Sequence, residues 1–269
     1  MICSLGDLLL DVIVRLDGPI AGDTDTYGRT SVGPGGQAAN VAAWTAELGG
    51  RSRLLARRAE DTAGRLLGEE MERRGVELAG PIAAGSTGTV VSIASPDARR
   101  TMLTDRGVCP DFAPADLDAA WLGGCESLHV PGYSLAVEPI RATSLAAVGA
   151  ARGAGARISV DLSSAALLAE SGSDLRHLVA EIEPDVVFAN EAEAELFGRI
   201  DAPTVVVKRG ARGCSVHTRA ETLDYPAEQV EVVDTTGAGD AFAAGFLLRG
   251  AEAGLAAAAR CISSMGAMP

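Results

Sequence analysis

Lysine is nearly missing from this chain: of 23 basic residues, one, Lys208, is lysine and the rest are arginine. A phosphate-binding loop of the G-x-x-x-x-G-K-[ST] kind is therefore excluded, and any anion site has to work without that loop's cation. Histidine is scarce as well. His129, His177 and His217 stand far apart in the sequence, which gives no support to a zinc cluster or a Ser-His-Asp triad. The five cysteines, Cys3, Cys109, Cys125, Cys214 and Cys261, are odd in number, scattered and without a C-x-x-C pair. They read as reduced thiols of a cytoplasmic protein. Aromatic residues make up 4% of the chain, so the core has to come from Ala, Val and Leu. No basic and apolar leader opens the sequence, and no apolar run reaches the roughly 18 residues of a membrane span. Positive charge is in deficit. A formal net charge of -13 argues against nucleic acid or an anionic membrane as the partner. Nucleotides stay open, because amides, a metal and a few local cations can hold them.

What is present is length and pattern. The 269 residues suit one large α/β domain over 1–269 with a small sheet appended from its N-terminal half. Ile2–Leu16 reads as a buried strand interrupted at Gly6-Asp7, and Asp17–Thr30 as a polar, hairpin-like excursion. A glycine-rich turn around Gly33–Gly36 opens a helix over Gln37–Leu48. A dinucleotide fingerprint fails there: no apolar strand leads directly into the glycines, and the third glycine is misplaced. Arg51–Arg58 reads as a strand and Thr62–Gly75 as an amphipathic helix. Strands over Thr87–Ala94 and Arg100–Leu103, joined by a turn at Ser95–Ala98, are expected to pair with the 10–30 region. From Pro114 the pattern alternates: helix Pro114–Leu122, strand Ser127–Val130, helix Val137–Ala154, strand Arg157–Asp161. Helix Asp174–Ile182, strand Asp185–Phe188, helix Glu191–Phe197 and strand Thr204–Lys208 follow. Such alternation implies a mainly parallel sheet with helices on both faces, and ligands beyond the carboxyl ends of its strands. Gly210 and Gly213 turn the chain into strand Cys214–Thr218, with Thr222–Tyr225 as an antiparallel edge and a last helix over Gly254–Met265.

The densest chemical signal is Asp234-Thr-Thr-Gly-Ala-Gly-Asp240, which runs straight into the apolar stretch Ala241–Leu248. It reads as a loop opening into a helix N-terminus, where free N–H groups and the helix dipole favour an anion. Gly237 and Gly239 let amides turn inward. Asp240 is out of place beside an anion, which fits a general base taking the proton of an attacking hydroxyl. The plain alternative is a first-turn acid that compensates the dipole. Asp11 lies within an apolar run, either facing solvent or accepting hydrogen bonds from sugar hydroxyls. Asn40, on the first turn of its helix, is either solvated or a ligand for a polyol. Asn190 and Glu193 share one face of a helix start; they are an N-cap with a first-turn acid, or a carboxylate holding Mg²⁺ through water. Arg106 is a solvated loop charge or a cation for the site.

Two of these stretches, Gly33-Pro-Gly-Gly-Gln-Ala-Ala-Asn40-Val-Ala and Asp234-Thr-Thr-Gly-Ala-Gly-Asp240-Ala-Phe-Ala-Ala-Gly, resemble the paired signatures of the ribokinase-like (PfkB) carbohydrate kinases. Asn190-Glu-Ala-Glu193, between them, resembles that family's metal-associated N-x-x-E motif. The resemblance covers nearly the whole chain. It implies a three-layer α/β/α sandwich with a small β-sheet lid, here from segments near 10–33 and 86–106. It further implies transfer of the γ-phosphate of ATP to a sugar hydroxyl. Asp240 then matches the base and the amides of Gly237, Ala238 and Gly239 the anion hole. Asp11, Gly35, Gly36 and Asn40 match sugar-binding positions, with Arg106 as a further candidate. Asn190, Lys208, Gly210 and Gly213 fall to the nucleotide side, Glu193 to Mg²⁺. Asp234 and the backbone near Ser264–Ala267 are candidates for a monovalent cation such as K⁺. Partners implied are a sugar and ATP, with a homodimer through the lid as a further expectation. One departure is Asp161-Leu-Ser-Ser-Ala165, where kinases of the fructose and keto-deoxy-gluconate type tend to carry an Asn and an Arg. Its lack of Arg disfavours a sugar carrying a carboxylate or phosphate, unless Arg106 serves instead. Another is the stop at Pro269, where related chains usually continue; a truncation or a short tail would leave the cation and adenine sites less enclosed. The alternatives are a nucleoside kinase of the same fold, which would want lid aromatics where only Tyr27 is found, and a non-catalytic sugar- or nucleotide-binding regulator.

Overall fold

Short runs rich in Val, Ile, Leu and Phe, largely buried, build one nine-stranded sheet. The computed structural model describes residues 1–94 and 100–269, with every side chain except those of residues 100 and 171–173. From one edge the strands are Val76–Ala79, Ser52–Leu55, Ile2–Leu5, Ser127–Pro131, Arg157–Asp161, Val186–Asn190, Thr204–Lys208, Cys214–Thr218 and Thr222–Tyr225. All are parallel up to Thr204–Lys208, and the 214–225 hairpin closes the far edge antiparallel.

Alternate residues of each strand face opposite helix layers. Val187 belongs to a cluster with helices Ile140–Gly153, Ala165–Ile182 and Glu191–Phe197. Its neighbours Val186 and Phe188 pack instead with Val41, Trp44, Phe242 and Ala257 of helices Gln37–Glu47, Ala238–Arg249 and Ala251–Ile262. Phe188 meets Phe242 and Phe246 edge-on, at 6.3 and 5.3 Å between centroids. Burying one such ring stabilises the fold by about 2 kcal/mol. This is the mainly parallel sheet with helices on both faces that the alternation implied, and the three-layer α/β/α sandwich that the resemblance implied. Among the described residues no helix is long and apolar enough to cross a membrane.

A separate four-stranded sheet has the order Gly28–Gly35, Leu9–Leu16, Thr87–Ala94, Arg100–Gly107. It leaves the large sheet directly after strand Ile2–Leu5, at the rim where the parallel strands end. Arg15 holds it there: its guanidinium donates to the Val233 carbonyl at 3.0 Å. Strand Leu9–Leu16 pairs antiparallel with Gly28–Gly35 and parallel with Thr87–Ala94, so the 10–30 region and the second strand pair do meet.

Several elements differ from the sequence reading. Pro114–Leu122 is two 3₁₀ turns, at Pro114–Asp116 and Ala119–Leu122. Asp118 accepts from the Ala120 N–H at 2.9 Å, the local side-chain bond that competes with a helix. The helix expected at Asp174 begins at Ala165, with Ser164 Oγ accepting from the Ala166 and Leu167 N–H groups. Ser31–Gly35 is strand rather than turn, and Arg106 lies in strand Arg100–Gly107 rather than in a loop. The last helix is Ala251–Ile262, not Gly254–Met265. Strand Val76–Ala79 and the ribbon of Arg58-Ala59 with Ile82-Ala83 were not foreseen. The turn expected at Ser95–Ala98 lies outside the described residues.

Candidate active site

The helix Ala238–Arg249 starts without a side-chain cap; its N-cap is Gly237 in the left-handed region at φ 76°. A Cβ on Gly237 would come within 2.6 Å of Ala267, so conformation and space both demand glycine. The N–H groups of Gly237 and Gly239 have no acceptor among the described residues. That of Ala238 is drawn back to the Thr235 carbonyl at 3.4 Å, a weak bond. The helix start thus presents open donors toward the rim of the sheet. Asp234 shapes the loop before it. Its Oδ1 accepts from the Thr236 N–H at 2.9 Å and hydroxyl at 2.7 Å, and its Oδ2 from the Gly266 N–H at 3.3 Å.

Asp240 stands on the first turn, and Asn40 Nδ2 donates to its Oδ2 at 2.7 Å. Burial raises the Asp240 carboxyl to about 7, with the nearby Asp161 and Asp11 pushing the same way and the Asn40 bond and Lys208 opposing. A carboxyl poised near neutrality is what a general base needs. Asn40 reaches it from helix Gln37–Glu47, and its Oδ1 is buried without a partner among the described residues. The chain arrives at that helix through Gly35 and Gly36. A Cβ on Gly35 would overlap the Asp11 carboxyl, and Gly36, at φ 98°, would place one 2.5 Å from the Asp7 carbonyl. The Asp11 carboxyl has no hydrogen-bond partner among the described residues, and burial raises it to about 6.

Arg106 is not a free cation. Its Nε and a terminal nitrogen donate to both oxygens of Asp7, at 2.7 and 2.9 Å. Asp7, which interrupts the first strand in the sequence, was not foreseen as its partner.

The ends of three neighbouring strands supply the rest. Strand Arg157–Asp161 ends in Asp161, whose Oδ2 accepts from Lys208 Nζ at 2.7 Å. Ser163, at φ 70°, donates its N–H to Asp161 Oδ1 at 2.9 Å and its hydroxyl to Gln37 Oε1 at 2.6 Å. Asn190 and Glu193 form a full capping box. The Asn190 backbone N–H donates to Glu193 Oε2 at 2.8 Å and its side-chain amide to Oε1 at 2.6 Å. The Glu193 N–H returns a bond to Asn190 Oδ1 at 2.9 Å. The plain reading of this pair is therefore realised. Each Glu193 oxygen keeps one lone pair for a water-bridged ion, and burial, with Asp161 adding to it, raises this carboxyl.

A cavity of about 650 Å³ runs from these residues across the helix start. Its walls include Asn190, Glu193, Lys208, Gly210, Gly213 and Gly237–Asp240. An apolar end, with Val230, Val232, Leu255, Ala258 and Ile262, would suit a flat heterocycle. Asp11, Gly35, Gly36, Asn40 and Arg106 are not among its walls; Asn40 joins them to it by holding Asp240. Asp161 and Ser163 entered the sequence reading only as part of the departing segment Asp161–Ala165, at a strand end where ligands sit, and nothing local marked Gln37.

The profile of the pfkB family carbohydrate kinases matches residues 1–268. The fructokinase of Klebsiella pneumoniae is 31% identical over 94% of this chain and 83% of its own length. The crystal structure of adenosine kinase from Sinorhizobium meliloti superposes with a TM-score of 0.90 at 25% identity, covering 100% of this chain and 95% of that one. A ribokinase II structure from E. coli, described in complex with ATP and Mg²⁺, superposes with a TM-score of 0.87 at 21% identity, covering 99% and 94%.

Proposed function

From the premise that the chain belongs to the pfkB family of carbohydrate kinases, we propose that it transfers the γ-phosphate of ATP to a hydroxyl of an uncharged sugar. The observation that carries this reading is Asp240, a carboxyl near neutrality on the first turn of a helix whose open N–H groups face the same cavity. A module that only binds has no use for a base beside its anion site. Asp240 takes the proton of the acceptor hydroxyl, and Asn40 orients it. The amides of Gly237 and Gly239, with Ala238 once its weak bond opens, stabilise charge on the moving phosphoryl group. Asp11 accepts from the sugar hydroxyls, while Gly35 and Gly36 let the backbone approach. The small sheet acts as a lid that excludes water, with Arg15 tying it to the loop before the anion site.

An uncharged acceptor is supported because, among the described residues, neither candidate place for a cation offers a free one. Arg106 is neutralised by Asp7, and the segment Asp161–Ala165 holds no Arg. A nucleoside acceptor is disfavoured: Tyr27, the lid's aromatic, is 78% exposed. The free edges of the small sheet, with Val32 and Leu103 exposed beside them, are where a second copy would pair. ADP release measured across sugars and nucleosides tests the assignment. Turnover with neutral sugars is expected; turnover confined to nucleosides, or saturable binding with no turnover, contradicts it.

The donor set fits Mg²⁺ held chiefly by phosphates and water. Among the described residues no cluster of His, Cys, Asp or Glu forms an all-protein cage, and the cavity walls carry carboxylate and amide oxygens but no His or Cys. Bound there, Mg²⁺ would neutralise charge on the triphosphate, with Glu193 and Asn190 orienting its waters. Asp234 and the backbone of Ser264–Ala267 would hold K⁺. Glu193→Gln removes the charge while the one amide oxygen can still accept from the Asn190 N–H and cap the helix, at the loss of the bond from the Asn190 side chain. The Mg²⁺ concentration for half-maximal rate is expected to rise about tenfold or more. An unchanged Mg²⁺ titration would remove Glu193 from this role.

The pH profile follows from Asp240. Its raised value, about 7, means that the base is protonated and idle in mild acid. kcat/KM, which reports the free enzyme, should therefore climb through neutrality and level off above it. A rate that stays flat down to about pH 5 would mean that Asp240 is not the base.

A further inference from the structure

The cavity beside helix Ala238–Arg249 carries an unbalanced charge. Among the described residues of its walls stand the carboxylates of Asp161, Glu193, Glu228 and Asp240, and against them one cation, Lys208. A triphosphate adds more negative charge to the same space. Arg106 is already engaged by Asp7. Lys208 is also the chain's one lysine, in a sequence that otherwise uses arginine for every cation.

Its placement is specific. Nζ sits 2.7 Å from Asp161 Oδ2, and a Cβ built on Gly239 would lie 3.2 Å from it. The ammonium therefore rests against the helix turn whose N–H groups are open. Burial alone would lower its pKa, but Asp161, Glu193 and Asp240 outweigh that and raise it, so the side chain is charged. Asp161 is held by the Ser163 N–H on its other oxygen. An ammonium, compact and with three rotatable donors, can turn from one oxygen to another; the planar guanidinium of Arg is larger and fixed in its fork.

We propose that Lys208 is a catalytic cation, resting on Asp161 and turning to hold a non-bridging oxygen of the γ-phosphoryl group during transfer. The inference rests on the kinase reading above. Lys208 keeps its protons throughout. The bond from the γ-phosphorus to the ADP oxygen breaks, and ADP leaves with the electron pair. The bond from phosphorus to the acceptor oxygen forms, and the acceptor proton passes to Asp240. Lys208 thus supplies the positive charge that a P-loop lysine supplies elsewhere, from the end of a strand instead of a loop.

A single lysine makes the test direct. Protein labelled with carbon-13 at lysine Cε gives one lysine signal in a proton–carbon correlation spectrum. Saturation with Mg²⁺ and a non-hydrolysable ATP analogue is expected to move that signal to a position distinct from the one reached with Mg²⁺ and ADP. Identical positions in the two saturated states would overturn the role of Lys208 and leave the kinase reading intact. Absence of saturable binding by either nucleotide would overturn both. A kinetic arm uses Lys208→Met together with Asp161→Asn, so that no buried carboxylate loses its partner. Turnover should fall by about 10²-fold or more, with the KM for the sugar changed only a few-fold. Turnover within a few-fold of the parent protein would also overturn the inference.

Discussion

Asp240→Asn is expected to lower turnover by about 10²-fold or more while leaving ATP bound as tightly as before, or more tightly. The substitution keeps the size of the side chain, and its carbonyl oxygen can still accept from Asn40 Nδ2, which now lies 2.7 Å from the carboxylate. What disappears is the ability to take a proton. A negative charge also disappears from a cavity that already holds the carboxylates of Asp161, Glu193 and Glu228. Repulsion on the triphosphate drops, so binding does not suffer. Calorimetric titration of ATP and a coupled ADP assay read the two quantities separately. Loss of binding in step with loss of turnover would make Asp240 a structural residue of the helix start, and turnover within a few-fold of the parent would remove it from the chemistry.

Gly237→Ala is expected to be comparably damaging, for a different reason. The residue occupies the left-handed region at φ 76°, and an added Cβ would meet the Cα, Cβ and carbonyl oxygen of Ala267 at 2.6 Å. A side chain in that region costs about 1–2 kcal/mol on its own. The overlap with backbone forces the loop to move, and the amides of Gly237 and Gly239 move with it. Losing the aim of one such donor typically lowers the rate by about 10² to 10³. Unlike Asp240→Asn, this change should also weaken nucleotide binding, because the same amides hold the ground-state phosphates. Gly149→Ala is the matched control: it lies in helix Ile140–Gly153, exposed, with nothing within 4 Å of the added Cβ. Its activity should be unchanged. Full activity in Gly237→Ala, measured beside that control, would mean that the helix start is not the anion site.

The two damaging substitutions fall on residues that the sequence already marked, and the reasons are local. Asp240 and Gly237 sit in one short segment, where the turn, the open amides and the misplaced acid can be read from neighbours. The same locality made strands Arg157–Asp161, Thr204–Lys208 and Cys214–Thr218 readable to the residue, since their alternation is broken cleanly by polar or glycine positions. Helix Ala165–Ile182 was read short because its first half, with Ser171, Gly172 and Ser173, resembles a loop. Its Ser164 cap is visible only once strand Arg157–Asp161 is known to end at Asp161. The pairings were beyond reach in the same way. Asn40 with Asp240, Asp7 with Arg106 and Asp161 with Lys208 are 200, 99 and 47 residues apart. Asn40, Asp240, Arg106 and Lys208 were each legible alone, while their pairing depends on which strand ends the sheet order brings together.

The central claim is transfer of a phosphoryl group to a carbon-bound hydroxyl, and phosphorus NMR of the reaction mixture tests it most directly. With ATP, Mg²⁺ and a neutral sugar such as fructose as the first acceptor tried, the spectrum should gain a sugar phosphate ester in step with ADP. Growth of ADP and inorganic phosphate alone, across the whole range of sugars offered, would contradict it.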